Sequence, residues 1–129
     1  MNALKEWPQT MLGAIVLHAT AARKIGSIRD REIYAFKKGN SGVSLGKYIF
    51  VCEGASNNTI QHEYGHCIQS ERYGWLYLLI VGLPSVTRNI WNRIAHKSWP
   101  PEKRSAWYYS AWPEKQADKL GEVERNFKV

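Results

Sequence analysis

Cysteine is scarce in this 129-residue chain, where Cys52 and Cys67 are the only two. Two cysteines cannot form a disulfide framework, and their spacing differs from that of cysteine-based zinc fingers. At 14.8 kDa the chain has the size of one compact domain that can bury a core of its own. We therefore expect a single domain over residues 1–129 that resides in a reducing compartment, the cytoplasm.

Long hydrophobic segments are missing as well. The apolar stretch over residues 11–22 is interrupted by Gly13 and His18, and the stretch over 75–83 is shorter still. A membrane-spanning helix needs about 20 apolar residues, so neither stretch predicts one. We expect both stretches to lie in the core, and peripheral contact with a membrane surface stays open.

Acidic residues are few, and no repeat or linker divides the chain. The 18 Lys and Arg residues outnumber 11 Asp and Glu, which gives a formal charge of +7. This excess is compatible with a nucleic acid, an anionic membrane or an acidic protein as partner and does not choose among them. The 44% of hydrophobic residues is close to the globular average and excludes a disordered or fibrous chain.

Helical periodicity is found before and after a region of strand-forming residues. Apolar spacing predicts a first helix over 9–24, whose buried face carries Leu12, Ile15, Val16, Ala19 and Ala22. A capping serine and a terminal glycine predict a second helix over about 57–73. Further helices are expected over about 85–126. One starts near Ser85 and carries Val86, Ile90 and Ile94 on one face, and the last has Pro113 in its first turn and buries Ala117, Leu120 and Val123.

Two segments rich in β-branched and aromatic residues, 32–36 and 47–51, predict strands. Turn-forming residues at 38–42 lie between them, so we expect the two strands to pair as antiparallel neighbours. Residues 43–46 form either a bulge or a short strand. The expected fold class is α+β, with an N-terminal helix and a small twisted, mostly antiparallel sheet over about 9–52.

The sequence His62-Glu63-Tyr64-Gly65-His66 is an HExxH motif. Four residues of helix turn through about 400°, so His62 and His66 lie one above the other on one face and can bind one zinc ion. Glu63 projects beside the metal, where it can take a proton from a zinc-bound water and later deliver it to a leaving amine.

Chance is a weak explanation for this motif. With 4 His and 9 Glu in 129 residues, an HExxH arises by chance in about one such chain per hundred. The helix is also amphipathic, because Ile60, Tyr64, Cys67 and Ile68 fall on the face opposite the histidines. Both observations favour a metal site over a pair of solvated histidines.

A catalytic zinc needs a third protein ligand. Gln69 and Arg72 stand where an HExxHxxGxxH motif requires Gly and His, so that arrangement is excluded. His18 and His96 remain open as ligands, but Glu114 is the better candidate. Asp118 lies four residues after it on the same helical face, where it can accept the second ring N–H of a ligating histidine.

At these residues the chain resembles the gluzincin metallopeptidases, which bind zinc through HExxH and a glutamate from a later helix. The segments HEYGH and EKQAD, the latter from Glu114 to Asp118, match HtpX-like and CAAX-prenyl-protease-like membrane peptidases. Length and element order are more similar to the soluble minigluzincins, over about residues 9–125. The resemblance implies a zincin-like fold with His62, His66 and Glu114 as ligands of one zinc ion, Glu63 as the catalytic residue and Asp118 behind the ligands.

The resemblance also implies an edge strand beside the cleft that pairs with an extended substrate, here from Gly42–Val51. Relatives stabilise the oxyanion with Tyr, His or Arg, and Tyr108, Tyr109 and His96 are the candidates in this chain. Packing of these aromatic rings in the core or at its rim is the simpler interpretation of the two tyrosines.

The resulting hypothesis is a zinc metallopeptidase that acts on peptides or proteins. One alternative is a latent or non-catalytic zinc scaffold that binds peptides, with the tail from Glu122 onward blocking the cleft. Another is a nucleic-acid or anionic-membrane surface in the basic, Trp-rich C-terminal half. Its residues would be Arg88, Arg93, Lys97, Lys103 and Arg104 with Trp91, Trp99 and Trp107. We do not expect nucleic acid as the main partner, and the sequence leaves the oligomeric state undetermined.

Overall fold

The computed structural model describes residues 1–37 and 42–127, which form five α-helices and one four-stranded sheet. In chain order these are α1 (Ala3–Thr20), β1 (Arg23–Ile28), β2 (Arg31–Phe36), β3 (Val43–Leu45), β4 (Tyr48–Cys52), α2 (Asn57–Tyr73), α3 (Leu83–Ala95), α4 (Pro101–Tyr108) and α5 (Glu114–Leu120). A 3₁₀ turn (Gly74–Leu76) and a π-helical turn (Leu78–Gly82) connect α2 to α3. The predicted α+β class is confirmed.

The sheet is mixed, with strand order β1-β2-β4-β3. β1 pairs with β2 and β3 pairs with β4 in antiparallel fashion, whereas β2 and β4 are parallel. The expected antiparallel pairing of the segments 32–36 and 47–51 is therefore wrong. The chain reverses twice between them, because residues 43–45 form a short strand and a tight turn at Gly46, with φ +62°, leads back into β4. Of the predicted turn, residues 38–41 lie outside the described part.

β4 is an inner strand, so its backbone is paired on both sides. The expectation that Gly42–Val51 offers one free edge is wrong over the β4 part of that range. The edge strand is β3, in which Ser44 and Leu45 are buried and Val43 is 36% exposed. Only the Gly42–Val43 end of this edge faces solvent.

α1 begins six residues earlier than predicted and buries a different face. Asn2 caps the helix by accepting a hydrogen bond from the backbone N–H of Lys5. The buried residues of α1 are Glu6, Gln9 and Gly13, while Leu12 and Ile15 of the expected buried face are 39% and 58% exposed. The apolar stripe of this helix therefore faces away from the core.

A buried polar network explains why α1 turns this way. The guanidinium of Arg31, 1% exposed, donates to Glu6 Oε1 at 2.9 Å and to the Gly46 carbonyl at 2.6 Å. Gln9 donates to Ser70 Oγ at 2.8 Å and to the Gly74 carbonyl. A buried charge must be paired and hydrogen-bonded, so these bonds fix the face that α1 presents to α2 and the sheet.

Pro8 lies inside α1 and has no N–H to donate to the carbonyl of Leu4. The indole N–H of Trp75 donates to that carbonyl instead, at 2.8 Å. Because Trp75 belongs to the turn after α2, this bond joins the start of α1 to the connection between α2 and α3.

The apolar core lies between the sheet and α2. Ile33, Ile49, Val51 and Cys67 form its buried cluster, and Ile28, Ala55, Ile60 and Tyr64 pack against it. The predicted apolar face of α2 is confirmed for Ile60, Tyr64 and Cys67, whereas Ile68, its fourth residue, is half-buried and lies outside this cluster. With this face on the sheet, the opposite face of α2 points toward α5.

The C-terminal region differs from the prediction in two respects. α4 was not expected as a separate helix, and α5 ends at Leu120, so that Val123 lies beyond it rather than in its buried stripe. Val86, Ile90 and Ile94 of α3 are 55%, 53% and 71% exposed. The expectation that 75–83 lies in the core is confirmed only for Tyr77 and Val81, 4% and 0% exposed. Trp75, Leu76, Leu79 and Leu83 are all more than half exposed.

No helix within the described residues combines the length and the apolar character needed to cross a membrane.

Candidate metal centre

α2 presents the motif residues on its buried side. Its first turn is capped by Ser56, whose hydroxyl accepts a hydrogen bond from the N–H of Thr59 at 3.3 Å. His62, Glu63 and His66 are 3%, 5% and 5% exposed. Their ligand atoms lie within 4.8 Å of one another, so this buried group could hold a metal ion.

Two glycines bring α5 against α2 at backbone distance. A Cβ added to Gly65 would lie 1.9 Å from the carbonyl oxygen of Ala117, and one added to Gly121 would lie 2.0 Å from that of Gln61. Because neither glycine carries a Cβ, the backbones of the two helices can approach closely enough for the side chains of α5 to reach those of α2. This approach carries Glu114 and Asp118 to the histidines.

The two Nε2 atoms converge on one carboxylate oxygen. Oε2 of Glu114 lies 2.8 Å from His62 Nε2 and 2.9 Å from His66 Nε2. The imidazole rings are nearly perpendicular, at 88°, with centroids 4.8 Å apart. Glu114 is fully buried, so two imidazole nitrogens and one carboxylate oxygen point at a common centre screened from water.

The remaining ring nitrogens are held by acceptors. His62 Nδ1 lies 2.7 Å from Asp118 Oδ1, and His66 Nδ1 lies 2.7 Å from Gln69 Oε1. The amide of Gln69 in turn donates to the carbonyl of Pro113 at 3.1 Å. These acceptors favour the proton on each Nδ1, which leaves both Nε2 lone pairs for a metal.

The electrostatics of the cluster favour a positive charge between its members. Burial alone would lower the pKa of His62, but hydrogen bonds to Asp118 and Glu114 outweigh it and raise the pKa to about 9. Burial also opposes the charge on Glu114, yet the two imidazoles hold the pKa of that carboxyl well below its usual range. A carboxylate facing two imidazoles is therefore stabilised by a cation, either a proton or a metal ion.

Glu63 belongs to the same buried group, with a carboxylate oxygen within 4.8 Å of the ligand atoms of both histidines. Its Oε2 atom is buried and has no hydrogen-bond partner among the described residues. Burial raises the pKa of Glu63 above its usual value. The backbone of Gly42 passes close by, since a Cβ there would lie 3.0 Å from Glu63 Cγ. A buried carboxyl with a free oxygen and a raised pKa is suited to accept a proton.

Glu114 is held from behind by two hydroxyl groups. Tyr108 donates to its Oε1 atom at 2.9 Å, and Ser85 Oγ donates to the same atom. The two hydroxyls also lie 3.2 Å apart. The structure thus places Tyr108 behind the third candidate ligand, where it orients the carboxylate.

Tyr109 contacts His62 directly. The two rings meet edge to face with centroids 5.0 Å apart, and the guanidinium of Arg125 lies over the tyrosine ring at 3.7 Å. Arg125 also donates to both oxygens of Asp118, at 3.0 and 2.9 Å. Phe127 stacks on Tyr109 at 6.3 Å, so the C-terminal segment packs against the residues behind the histidines.

The structure does not bring His96 or His18 to the cluster. His96 stacks on Trp99 with centroids 3.7 Å apart and hydrogen-bonds Asn92 Oδ1 at 2.7 Å. His18 is exposed in the last turn of α1. Each histidine therefore has the ordinary structural role that the sequence left open.

A polar cleft of about 250 Å³ opens at the cluster. Glu63, His62, Tyr108 and Tyr109 lie in its wall, as does Gly42 beside the exposed end of β3. The opposite wall consists of polar and basic residues of α3 and α4: Asn89, Asn92, Arg93, Arg104 and Ser105. The cluster is thus closed toward the core and open on the cleft side.

Sequence reasoning missed four contributors to this site. Gln69 follows His66 by three residues, and this helical spacing could have identified it as a neighbour of that histidine. Ser85 and Arg125 are joined to the site by tertiary packing, and no local pattern marks them. Arg93 was noted for its charge, but its place in the cleft wall depends on how α3 packs.

No family model, curated protein or solved structure significantly matches this chain.

Proposed function

We propose that this protein is a zinc metallopeptidase, with His62, His66 and Glu114 as zinc ligands and Glu63 as the general base and acid. The observation that carries the proposal is the meeting of two Nε2 atoms at 2.8 and 2.9 Å from one buried oxygen of Glu114. Two histidines and one carboxylate are the donor set of many catalytic zinc sites.

The surroundings of these donors support zinc. Both Nδ1 atoms face acceptors, and both oxygens of Glu114 have partners. His62, His66 and Glu114 would hold the ion, and the cleft, which has His62 and Glu63 in its wall, would admit water and substrate to it. When bound, zinc supplies Lewis acidity, which lowers the pKa of a coordinated water and polarises a carbonyl.

Glu63 supplies the proton transfers. Glu63 lines the cleft, and one of its carboxylate oxygens has no hydrogen-bond partner among the described residues. In this proposal the carboxylate takes a proton from the water that attacks the peptide carbonyl. The raised pKa makes the carboxylate a stronger base than an exposed glutamate. The proton it takes from the water is then delivered to the nitrogen of the leaving amine.

A peptide would be held in an extended conformation at the exposed end of β3. Gly42 lies in the cleft wall next to Glu63, and Val43 follows as the first residue of the edge strand. Backbone pairing of a peptide with a strand edge gives affinity without demanding a particular sequence. Tyr109, which contacts His62 at the cleft, is the oxyanion stabiliser that we propose.

One observation favours the latent form as a second candidate. Arg125 and Phe127 pack on Asp118 and Tyr109, so the C-terminal segment is attached to the site. A chain held in this way binds zinc through the same ligands but turns over substrate slowly. Removal of residues 122–129 would then raise peptidase activity.

Metal content and cleavage together test the proposal. Purified wild type, prepared without chelators or an affinity-tag metal, is expected to contain near-stoichiometric zinc by elemental analysis. Glu114→Ala should lose most of it, because a ligand is removed. Glu63→Gln should keep the zinc and lose cleavage of a mixed peptide substrate, because only the base is removed.

Glu71→Ala is the matched control, since Glu71 also lies on α2 and is exposed. It should retain both zinc and cleavage. Wild type that binds no added zinc would refute the metal site. Wild type and the truncated form that both bind zinc but cleave no peptide would leave the zinc scaffold as the function.

A further inference from the structure

Two rows of large apolar side chains are exposed on the surface, one on α1 and one after α2. The row on α1 comprises Leu4, Trp7, Met11 and Ile15, spaced at three and four residues and 52% to 82% exposed. The row after α2 has the same spacing and comprises Leu79, Leu83, Val86, Ile90 and Ile94, 53% to 71% exposed. We call these two rows together the apolar face.

The two rows are connected through Trp75. Trp75, itself 65% exposed, donates its indole N–H to the carbonyl of Leu4 at 2.8 Å. The 3₁₀ turn that contains Trp75 packs against α1. Large apolar side chains scattered singly over a surface need no explanation, but rows of them at helical spacing, connected through an exposed tryptophan, indicate an interaction site.

The segment that carries the second row has charged residues of one sign only. Residues 72–101 contain four basic residues and no acidic residue. Arg72, Arg93 and Lys97 are exposed, while Arg88 is engaged over the ring of Trp107 at 4.1 Å. Residues 73–87 carry no charged side chain. An uncharged apolar row bordered by exposed cations is complementary to a surface that is apolar inside and anionic outside.

We propose that the apolar face binds the surface of an anionic lipid bilayer. The rows on α1 and α3 enter the interface between head groups and acyl chains, and Arg72 and Lys97 contact the lipid phosphates. Trp7, Trp75 and Trp91 are 52%, 65% and 58% exposed on these elements, and tryptophan favours the membrane–water interface. No helix has to cross the bilayer for this binding.

Charge argues against a second copy of this chain as the occupant. Two copies that joined their apolar faces would bring Arg72, Arg93 and Lys97 of each chain toward those of the other, with no acidic residue over 72–101 to pair with them. Like charges across an interface disfavour association. An anionic bilayer, in contrast, satisfies the basic rim and the apolar row together.

Membrane binding would place the cleft beside the bilayer. α3 has Val86, Ile90 and Ile94 on the exposed side, and on its other side Asn89 and Asn92 line the cleft. The same helix thus forms a wall of the cleft and part of the apolar face. Peptide segments close to an anionic membrane surface would reach the cleft first.

Flotation of the protein with lipid vesicles tests the proposal. The assay is done with the zinc-free and the zinc-loaded protein, so that its result does not depend on whether the proposed metal site is correct. Wild type should float with vesicles of phosphatidylcholine and phosphatidylglycerol and much less with phosphatidylcholine alone. The double variant Ile90→Glu/Ile94→Glu should bind at least about tenfold more weakly, since two acidic groups replace apolar contact. Ile25→Glu is the matched control, because Ile25 is 45% exposed on β1, and it should bind like wild type.

Two further measurements make the test independent of the folding of the variants. Raising the salt from about 0.1 to about 1 M shortens the Debye length from roughly 10 to 3 Å, so wild type should bind several-fold more weakly. Lipids brominated in the acyl chains should quench the tryptophan fluorescence of wild type. Absence of flotation with anionic vesicles would overturn the proposal. It would also be overturned if Ile25→Glu lost as much vesicle binding as the double variant. If wild type bound no vesicles but formed a dimer that the double variant did not form, the apolar face would be assigned to self-association instead.

Discussion

Replacement of Gly65 by alanine should separate α5 from α2 and dismantle the candidate metal centre without touching any of its side chains. The added Cβ would lie 1.9 Å from the carbonyl oxygen of Ala117 and 2.7 Å from its carbon. An ordinary contact needs at least 3.4 Å, so the helices must move apart by about 1.5 Å, the difference between 3.4 and 1.9 Å. Backbone lies on both sides of this contact, and no side-chain rotation can relieve it.

A shift of that size would break the convergence of donors. Glu114 Oε2 now lies 2.8 and 2.9 Å from the two Nε2 atoms, and Asp118 lies 2.7 Å from His62. Lengthened by about 1.5 Å, these pairs exceed hydrogen-bond distance. Loss of orientation at one such partner costs 10- to 100-fold in metal affinity. Because Glu114 and Asp118 would be displaced together, Gly65→Ala should bind zinc at least about 100-fold more weakly than wild type.

The overpacked contact should also lower stability. Extra methyl groups in a packed interior cost about 1–3 kcal/mol, which for a chain of this size corresponds to a fall in Tm of roughly 5–10 °C. Thermal unfolding of the zinc-free protein measures this loss apart from metal binding. Competition with a chromophoric chelator measures zinc affinity.

Gly82→Ala is the control for this experiment. A Cβ at Gly82 would make only ordinary contact, 3.7 Å from Leu78, and the backbone there is helical. This variant should bind zinc and unfold like wild type. If Gly65→Ala did the same, the backbone contact between α2 and α5 would not be what positions the site.

Three other variants or reagents test further parts of the structure. Arg31→Met should lower the free energy of unfolding in urea by about 3–5 kcal/mol, because it leaves the fully buried carboxylate of Glu6 without its counter-ion. Unfolding at the same urea concentration as wild type would contradict this prediction. Burial raises the pKa of Cys67 to about 12, so the thiol keeps its proton below that pH. Iodoacetamide at about pH 8 should therefore leave Cys67 unmodified until the protein is unfolded. Mass spectrometry that shows Cys67 modified before the half-buried Cys52 would refute this prediction. Asp118→Asn should weaken zinc binding about 10- to 100-fold by disturbing the proton on His62 Nδ1, and an unchanged chelator titration would remove that role.

The zinc-helix prediction rested on local signals, and the structure has α2 at the predicted bounds, 57–73. A capping serine, a terminal glycine and the spacing of four between His62 and His66 act within one helix, so the sequence contains all that they require. The same holds for Glu114 and Asp118 on α5. That these two helices meet was inferred from the need of a zinc site for a third ligand and from the family resemblance, because no local pattern specifies it.

Tertiary structure decided how the elements contact one another. Strand-forming residues predicted β2 and β4, but their parallel pairing depends on β3, which is only three residues long. Gln69 and Ser85 hold the site through bonds to Pro113 and Glu114, which are distant in sequence. Arg125 reaches back to Asp118 from beyond the end of α5. Such contacts depend on helix packing, which local patterns do not encode.

The apolar stripes show this division most clearly. The sequence determined that α1 and α3 each have an apolar side, because helical periodicity specifies which residues share a face. It did not determine what that side contacts. Arg31 and Glu6 required burial together, and pairing them turned the polar side of α1 inward, while α3 placed its polar side along the cleft. Periodicity defines a face, and only the competition among all buried groups for partners decides which faces remain on the surface.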